Sequence, residues 1–138
     1  MQDIQTAVIR LVDRQNTALI GSVDEAGFPG IKAMLAPRLR EGLKTFYFTT
    51  NTSSKRVGHY LRDSRACIYF YDRRTFRGVM LTGYMEVLTD SASKELIWRE
   101  GDTMYYSGGV TDPDYCVLRF TAERGRYYKD FESVDFEI

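Results

Sequence analysis

The chain offers almost nothing from which a metal centre or a disulfide scaffold could be built. Its 138 residues include one histidine, His59, and two cysteines, Cys67 and Cys116. The cysteines lie far apart inside apolar runs, with no Cys-x-x-Cys or metal-ligand spacing. A histidine-rich metal site is thereby excluded, a His-centred triad would rest on His59 alone, and no metal ligand is assigned. Both cysteines read as buried thiols, and His59 as a face residue of an amphipathic helix. Excess charge is missing too: 19 Lys and Arg balance 19 Asp and Glu, so no general field draws the chain to nucleic acid or to an anionic membrane. No apolar run approaches the roughly 20 residues of a membrane span. The opening MQDIQTAVIRLVDR is a mixed amphipathic segment rather than a charged-then-apolar signal peptide. The expectation is a cytoplasmic protein with neither a membrane nor a nucleic-acid partner. Repeats, low-complexity tracts and linkers are also lacking, so residues 1–138 read as a single domain, and 43% hydrophobic residues supply one sizeable core.

What is present is a succession of short strands. Asp3 to Arg14 places Ile4, Ala7, Val8, Leu11 and Val12 on one helical stripe, with Asp3 available as the cap. Ala18 to Val23 and Ile31 to Ala36 form a hairpin around DEAGFPG, and Thr45 to Thr49 alternates with Phe46 and Phe48 on one face. A helix from Ser54 to Asp63, burying Val57 and Leu61, precedes the aromatic strand RACIYFY and the long strand VMLTGYMEVL, where Gly83 marks a bend or bulge. Asp90 caps a helix over SASKELIWRE, an irregular glycine- and tyrosine-rich segment follows, and Tyr115 to Ala122 and Arg126 to Phe131 meet across a turn at Arg124 and Gly125. About seven strands joined mostly by short turns imply an antiparallel sheet, and curling it removes exposed edges. The fold class read here is α+β: a small antiparallel β-barrel with about three peripheral helices.

One stretch carries chemistry. In FYFTTNTSSKRVGHYLRD a strand breaks into hydroxyls and an amide, and a helix opens with Lys55 and Arg56 in its first turn. A helix N-terminus carries partial positive charge and unpaired N–H groups, so carboxylates are the ordinary choice there, worth about 0.3–1 kcal/mol each. Cations in that turn make sense around an anion, with backbone N–H groups and the hydroxyls of Ser53 or Ser54 completing a cage for a phosphate monoester. The plainer reading is that a serine caps the helix and the cations face water.

The chain resembles the pyridoxamine 5′-phosphate oxidase-like flavin-binding split barrels, in particular the short general-stress-protein branch. The resemblance runs from the first helix through ALIGSVDEAGFPGIKAML, FYFTTNTSSKRVGHYLRD, RACIYFYD and VMLTGYMEV to CVLRFTAERGRYYKD. It implies a split barrel that binds FMN, with the phosphate held at Thr49, Thr50, Asn51, Ser53, Ser54, Lys55 and Arg56. It implies contact along the flavin from Lys32, Ala33, Met34 and Leu35, although lysine replaces the oxidase's usual arginine and Pro37 falls where the oxidase has a lysine. Tyr128 takes the place of a tryptophan that reaches the partner subunit's flavin, which implies a homodimer with flavin at the interface. The oxidase's C-terminal arginine–histidine pair for pyridoxal phosphate is missing from ESVDFEI, so the implied function is an FMN-dependent oxidoreductase acting on another small molecule with electrons from a reduced nicotinamide or similar donor. No side chain is assigned as a catalytic acid or base, since the isoalloxazine supplies the redox chemistry. The alternatives are a non-catalytic flavin-binding stress protein and a nucleic-acid-binding barrel using Tyr69, Tyr71, Arg73, Arg74 and Arg77, against which the balanced charge argues.

Overall fold

The computed structural model describes residues 3–138. In chain order the elements are α1 (Ile4–Asp13), β1 (Thr17–Val23), β2 (Pro29–Leu35), β3 (Leu39–Glu41), β4 (Thr45–Asn51), α2 (Lys55–Arg62), β5 (Arg65–Asp72), β6 (Arg77–Leu88), α3 (Ser91–Ile97), β7 (Tyr115–Lys129) and β8 (Glu132–Glu137), with two short 3-10 turns between α3 and β7. All strand pairs are antiparallel, as the short turns require. The eight strands make one sheet in the order β2-β1-β5-β6-β7-β4-β3, with β8 added to β7.

The sheet curls but does not close. β2 and β3 are its two ends in hydrogen-bonding order, yet Ala36, Pro37 and Arg38 alone separate them in the chain. At this corner the Arg38 N–H donates to Tyr47 O, and β3 covers β4 only from Thr45 to Tyr47. Beyond it, among the described residues, β2 pairs only with β1, and β4 from Phe48 to Asn51 only with β7. Two strand edges therefore diverge from a common point, which is the split in the barrel, and their backbone N–H and C=O groups on that side have no strand partner.

The core follows from alternation. Phe46 and Phe48 on β4, Phe70 on β5 and Phe120 on β7 all point inward and are essentially solvent-free, and α1 closes one end with Val8, Leu11 and Val12. Opposite faces of β4 and β7 carry Tyr47, Tyr115 and Val117 into a second cluster with Ile97 and Tyr106, against which Trp98 packs. The ring centroids of Tyr106 and Tyr115 lie 4.8 Å apart, those of Trp98 and Tyr115 5.2 Å, within the range of favourable aromatic pairs. Burial pushes the Tyr115 phenol up to about 12, and its hydroxyl donates to Lys94 O at 2.7 Å.

Several sequence expectations need correction. Arg124 and Gly125 do not turn: β7 runs straight through them, because this half of the strand pairs with β6 on one side and β8 on the other. Gly125 is small because the Phe136 ring lies across it, where a Cβ would collide. The real turn is Asp130–Phe131, and the segment ESVDFEI forms β8. Gly83 does mark a bulge, with Glu123 as the extra residue on β7, and a Cβ there would run into the Thr121 carbonyl. Helix α3 stops at Ile97, earlier than expected, and β3 was not foreseen. Asp3 occupies the cap position of α1 without a side-chain bond, whereas Asp90 accepts from Ser93 N as expected. Leu61 faces solvent, and α2 buries Val57, His59 and Tyr60 instead.

Candidate functional site

The end of β4 delivers the chain into α2 at the open edge of the sheet. Ser54 is the helix cap, its Oγ accepting from Val57 N at 3.4 Å, and no acidic residue occupies the first turn. Lys55 is exposed. Arg56 is half-buried, and its Nε is fully shielded from solvent with no hydrogen-bond partner. A buried donor left unmade costs about 1–3 kcal/mol. Thr52 Oγ1, in the same loop, is likewise buried without a partner.

An acidic residue that the sequence did not point to shares this loop. Asp114 accepts from Asn51 Nδ2 at 2.9 Å and from Ser53 N at 2.8 Å, and its own carbonyl accepts from Thr52 N. The Asn51 bond, then those of Ser53, lower the Asp114 pKa. Asn51 and Ser53 are thus engaged in shaping the loop from within. Nothing local in the segment TDPDY announces this role; it exists because Asn51 is placed opposite Tyr115 in the β4–β7 register.

The other expected residues separate by face. Thr50 points into the core, whereas Thr49 lies on the opposite side against Tyr106. On β2, Lys32 stands opposite Ile20 and Met34 opposite Ala18, so both share the inward side, and Met34 packs on the core. Ala33 and Leu35 are exposed on the outward side. The Lys32–Leu35 backbone therefore borders the split on one side and Phe48–Asn51 borders it on the other. Among the described residues no hydrogen bond or ion pair joins the two borders.

Tyr128 stands apart. It pairs with Gly78 and Ser133 and meets the Phe76 ring edge-on, with centroids 6.1 Å apart. Thr49 is opposite Val117, and the strand distance from Val117 to Tyr128 is on the order of 30 Å. Tyr128 cannot share a mononucleotide with the loop of its own chain.

Ser22 Oγ lies 3.2 Å from His59 Nδ1, and His59 Nε2 lies 3.8 Å from Glu25 Oε2. The order Ser–His–Glu is that of a triad, but Ser22 is buried beneath α2 with no room for a reacting carbonyl. The pair ties α2 to β1, helped by Tyr60 OH donating to Gly21 O at 2.9 Å. Burial raises both thiol pKa values, so neither cysteine is an activated nucleophile. Cys116 is buried as expected, and Cys67 is partly exposed. Close to the corner, Arg38 makes a bidentate bond to Asp102 at 2.8 Å for both contacts, shielded on both sides. Beside it a cleft of about 450 Å³ opens between Leu35, Ala36, Arg99, Met104 and Tyr105.

The fold is an α+β split barrel, with two cations in the first turn of the helix beside its open seam. The chain belongs to the pyridoxamine 5′-phosphate oxidase family, whose model matches residues 4–129. A Clostridium acetobutylicum protein described as related to general stress protein 26 of B. subtilis, of the pyridoxinephosphate oxidase family, is 40% identical, with a TM-score of 0.89 over 97% of this chain and 94% of that one. General stress protein 26 of Bacillus anthracis shares the fold at 16% identity, with a TM-score of 0.78 over 96% and 98% of the two chains. A heme binding protein from Mycobacterium smegmatis does so at 14% identity, with a TM-score of 0.76 over 99% of this chain and 59% of that one. Among curated proteins none matches the chain. Among the described residues, no helix is long and apolar enough to cross a membrane.

Proposed function

We propose that this protein binds FMN and is an oxidoreductase for a small molecule other than pyridoxamine 5′-phosphate. The observation that carries the reading is the shielded, unpartnered Arg56 Nε at the start of a helix whose first turn contains two cations and no acid. A phosphate monoester at this turn would offer acceptors to the accessible nitrogens of the two cations and use the helix dipole as well. Lys55 and Arg56 would hold the phosphate, and the unpaired backbone edge of Lys32–Leu35 would run along the ring system, with the Lys32 ammonium on the side of the split. Bound FMN would accept electrons from a reduced nicotinamide or similar donor and pass them to the substrate. Asp114 keeps the loop in shape, and Tyr128 would serve the flavin of a partner subunit.

The C-terminal strand β8 carries neither arginine nor histidine, so binding energy for a pyridoxal phosphate is missing. Robust pyridoxal phosphate production would overturn this substrate argument. Heme is a competing occupant on the strength of the mycobacterial protein of the same fold. The only histidine of this chain is nearly buried, with Nδ1 bonded to Ser22 and Nε2 beside Glu25, which argues against it as an axial ligand.

The test is the visible spectrum of the purified protein, with and without added FMN, followed by anaerobic addition of NADH or NADPH. A flavin band that bleaches with the nicotinamide and returns with oxygen supports the full reading. A bound flavin that resists both nicotinamides moves the assignment to a non-catalytic flavin-binding protein, and a Soret band with no flavin uptake defeats it.

A further inference from the structure

At the far end of the barrel lies a second concentration of positive charge that the flavin reading leaves unused. Helix α1 contributes Arg10 and its C-cap Arg14, β5 ends there in Asp72, the β5–β6 turn contributes Thr75, β6 contributes Arg77, and Tyr127 of β7 also lines this cleft of about 120 Å³. A wider cleft of about 750 Å³ adjoins it, sharing Arg14, Asp72 and Thr75 and adding Arg73 and Arg74. Five guanidinium groups thus surround one carboxylate in a chain whose overall charge is zero. Asp72 is itself committed: its Oδ1 accepts from Arg74 N at 2.9 Å, and further bonds from Thr75 hold its pKa down. Among the described residues none of the five guanidiniums has an ion-pair or hydrogen-bond partner. Arg10 and Arg14 have an ordinary reason to be where they are, since cations suit a helix C-terminus. That reason does not reach Arg77, whose Nε is fully shielded from solvent and unpartnered.

We propose that these clefts bind a phosphorylated small molecule, its phosphate in the narrow cleft against Arg10, Arg14 and Arg77 and the remainder in the wider one. The narrow cleft suits one tetrahedral oxyanion, and guanidinium groups match phosphate oxygens by paired, charge-assisted hydrogen bonds. The site is distinct from the cradle at α2. Arg77 begins β6, whereas Leu88 at its other end lies opposite Val117, beside the Thr49 pairing. The two sites are on the order of 30 Å apart along the strand. Tyr127, which lines the cleft, points to the face opposite Tyr128.

The test is a low-salt calorimetric titration of the full chain with pyrophosphate, run on wild type, Arg77→Gln, the double variant Arg10→Gln/Arg14→Gln, and Lys55→Glu. The proposal expects pyrophosphate binding that weakens about tenfold or more in both arginine variants and survives in Lys55→Glu. In wild type the Nε–Hε resonance of Arg77 should move with pyrophosphate, a signal that a purely structural arginine does not give. Should Arg77→Gln fail to fold, the double variant on the exposed face of α1 decides. Three results overturn the proposal: no pyrophosphate uptake by wild type, uptake unchanged in the double variant, or arginine-dependent binding of a single-stranded oligonucleotide without any response to pyrophosphate.

Discussion

Lys55 and Arg56 stand in the one turn of a helix where charge of their sign is least welcome, and their energetics should reveal what they are for. Lys55→Glu is expected to weaken FMN about tenfold or more while leaving riboflavin nearly unchanged, because only the phosphate uses the charge-assisted bond. Equal losses for both ligands in calorimetric titrations, with the circular dichroism intact, would remove the phosphate assignment. Arg38 and Asp102 make a contrasting, purely structural case. Both are shielded from water, so Asp102→Asn leaves an uncompensated guanidinium and should cost about 3–5 kcal/mol. The bond from Arg38 holds the Asp102 pKa below its ordinary value. A carboxyl with a depressed pKa contributes stability that is fully present above the unfolded value near 4 and is lost as pH falls through the folded one. The gap in urea midpoint between wild type and Asp102→Asn should therefore be wide at neutral pH and narrow toward pH 3; a constant gap would show that the charge is not what matters. At this scale the sequence was informative wherever a residue acts with its neighbours, as Ser54, Lys55 and Arg56 do. Asp114 was invisible, because its partners Asn51 and Ser53 lie 63 and 61 residues away in sequence and are reached only through the pairing of β4 with β7.

The hairpin of β7 and β8 turns on two residues with left-handed backbones, Asp130 at φ 52° and Phe131 at φ 67°. Positive φ at both central positions matches the twist of the flanking strands, but a phenylalanine bears the steric cost of that region without compensation, since its side chain is almost entirely exposed. Phe131→Gly should stabilise the protein by about 1 kcal/mol, visible as a rise of a few degrees in the thermal midpoint. An unchanged or lowered midpoint would mean that the ring is covered by something outside this chain. The same hairpin shows why element boundaries were harder to read than elements. A glycine beside charged residues signals a turn, and Gly125 has that signature, yet it answers to the ring of Phe136. Phe131, which looks like the end of a strand, makes the turn. Gly83 was legible because a bulge and a bend both call for the same missing Cβ.

At the scale of the molecule, the open seam and β2 raise the question of what covers them. Ile31 and Leu35 on this edge strand and Phe28 just before it are 72%, 59% and 68% exposed, more apolar surface than a lone edge ordinarily shows to water. A second copy placed over the seam would cover it, bring its own Tyr128 to the flavin and complete two equivalent sites about a two-fold axis. Light scattering at micromolar protein with saturating FMN should therefore report a dimer, and a monomer would count decisively against this arrangement. The general architecture was legible because alternation and short turns leave few options for seven or eight strands. The seam was legible through the family resemblance but not from alternation or turns, because it depends on how far β3 extends along β4. β7 also governs when the chain can fold at all. It alone binds β4, β6 and β8 together, and it is synthesised after both β4 and β6. Until Tyr115 to Lys129 emerges, Phe46 and Phe48 have no strand to cover one edge of β4, and β6 has only β5. A nascent chain must hold these apolar strands unpaired while it waits for contacts distant in sequence, the situation in which folding slows to milliseconds or longer and aggregation competes. Translation that stalls shortly before Tyr115 should thus yield a chaperone client rather than a smaller folded protein.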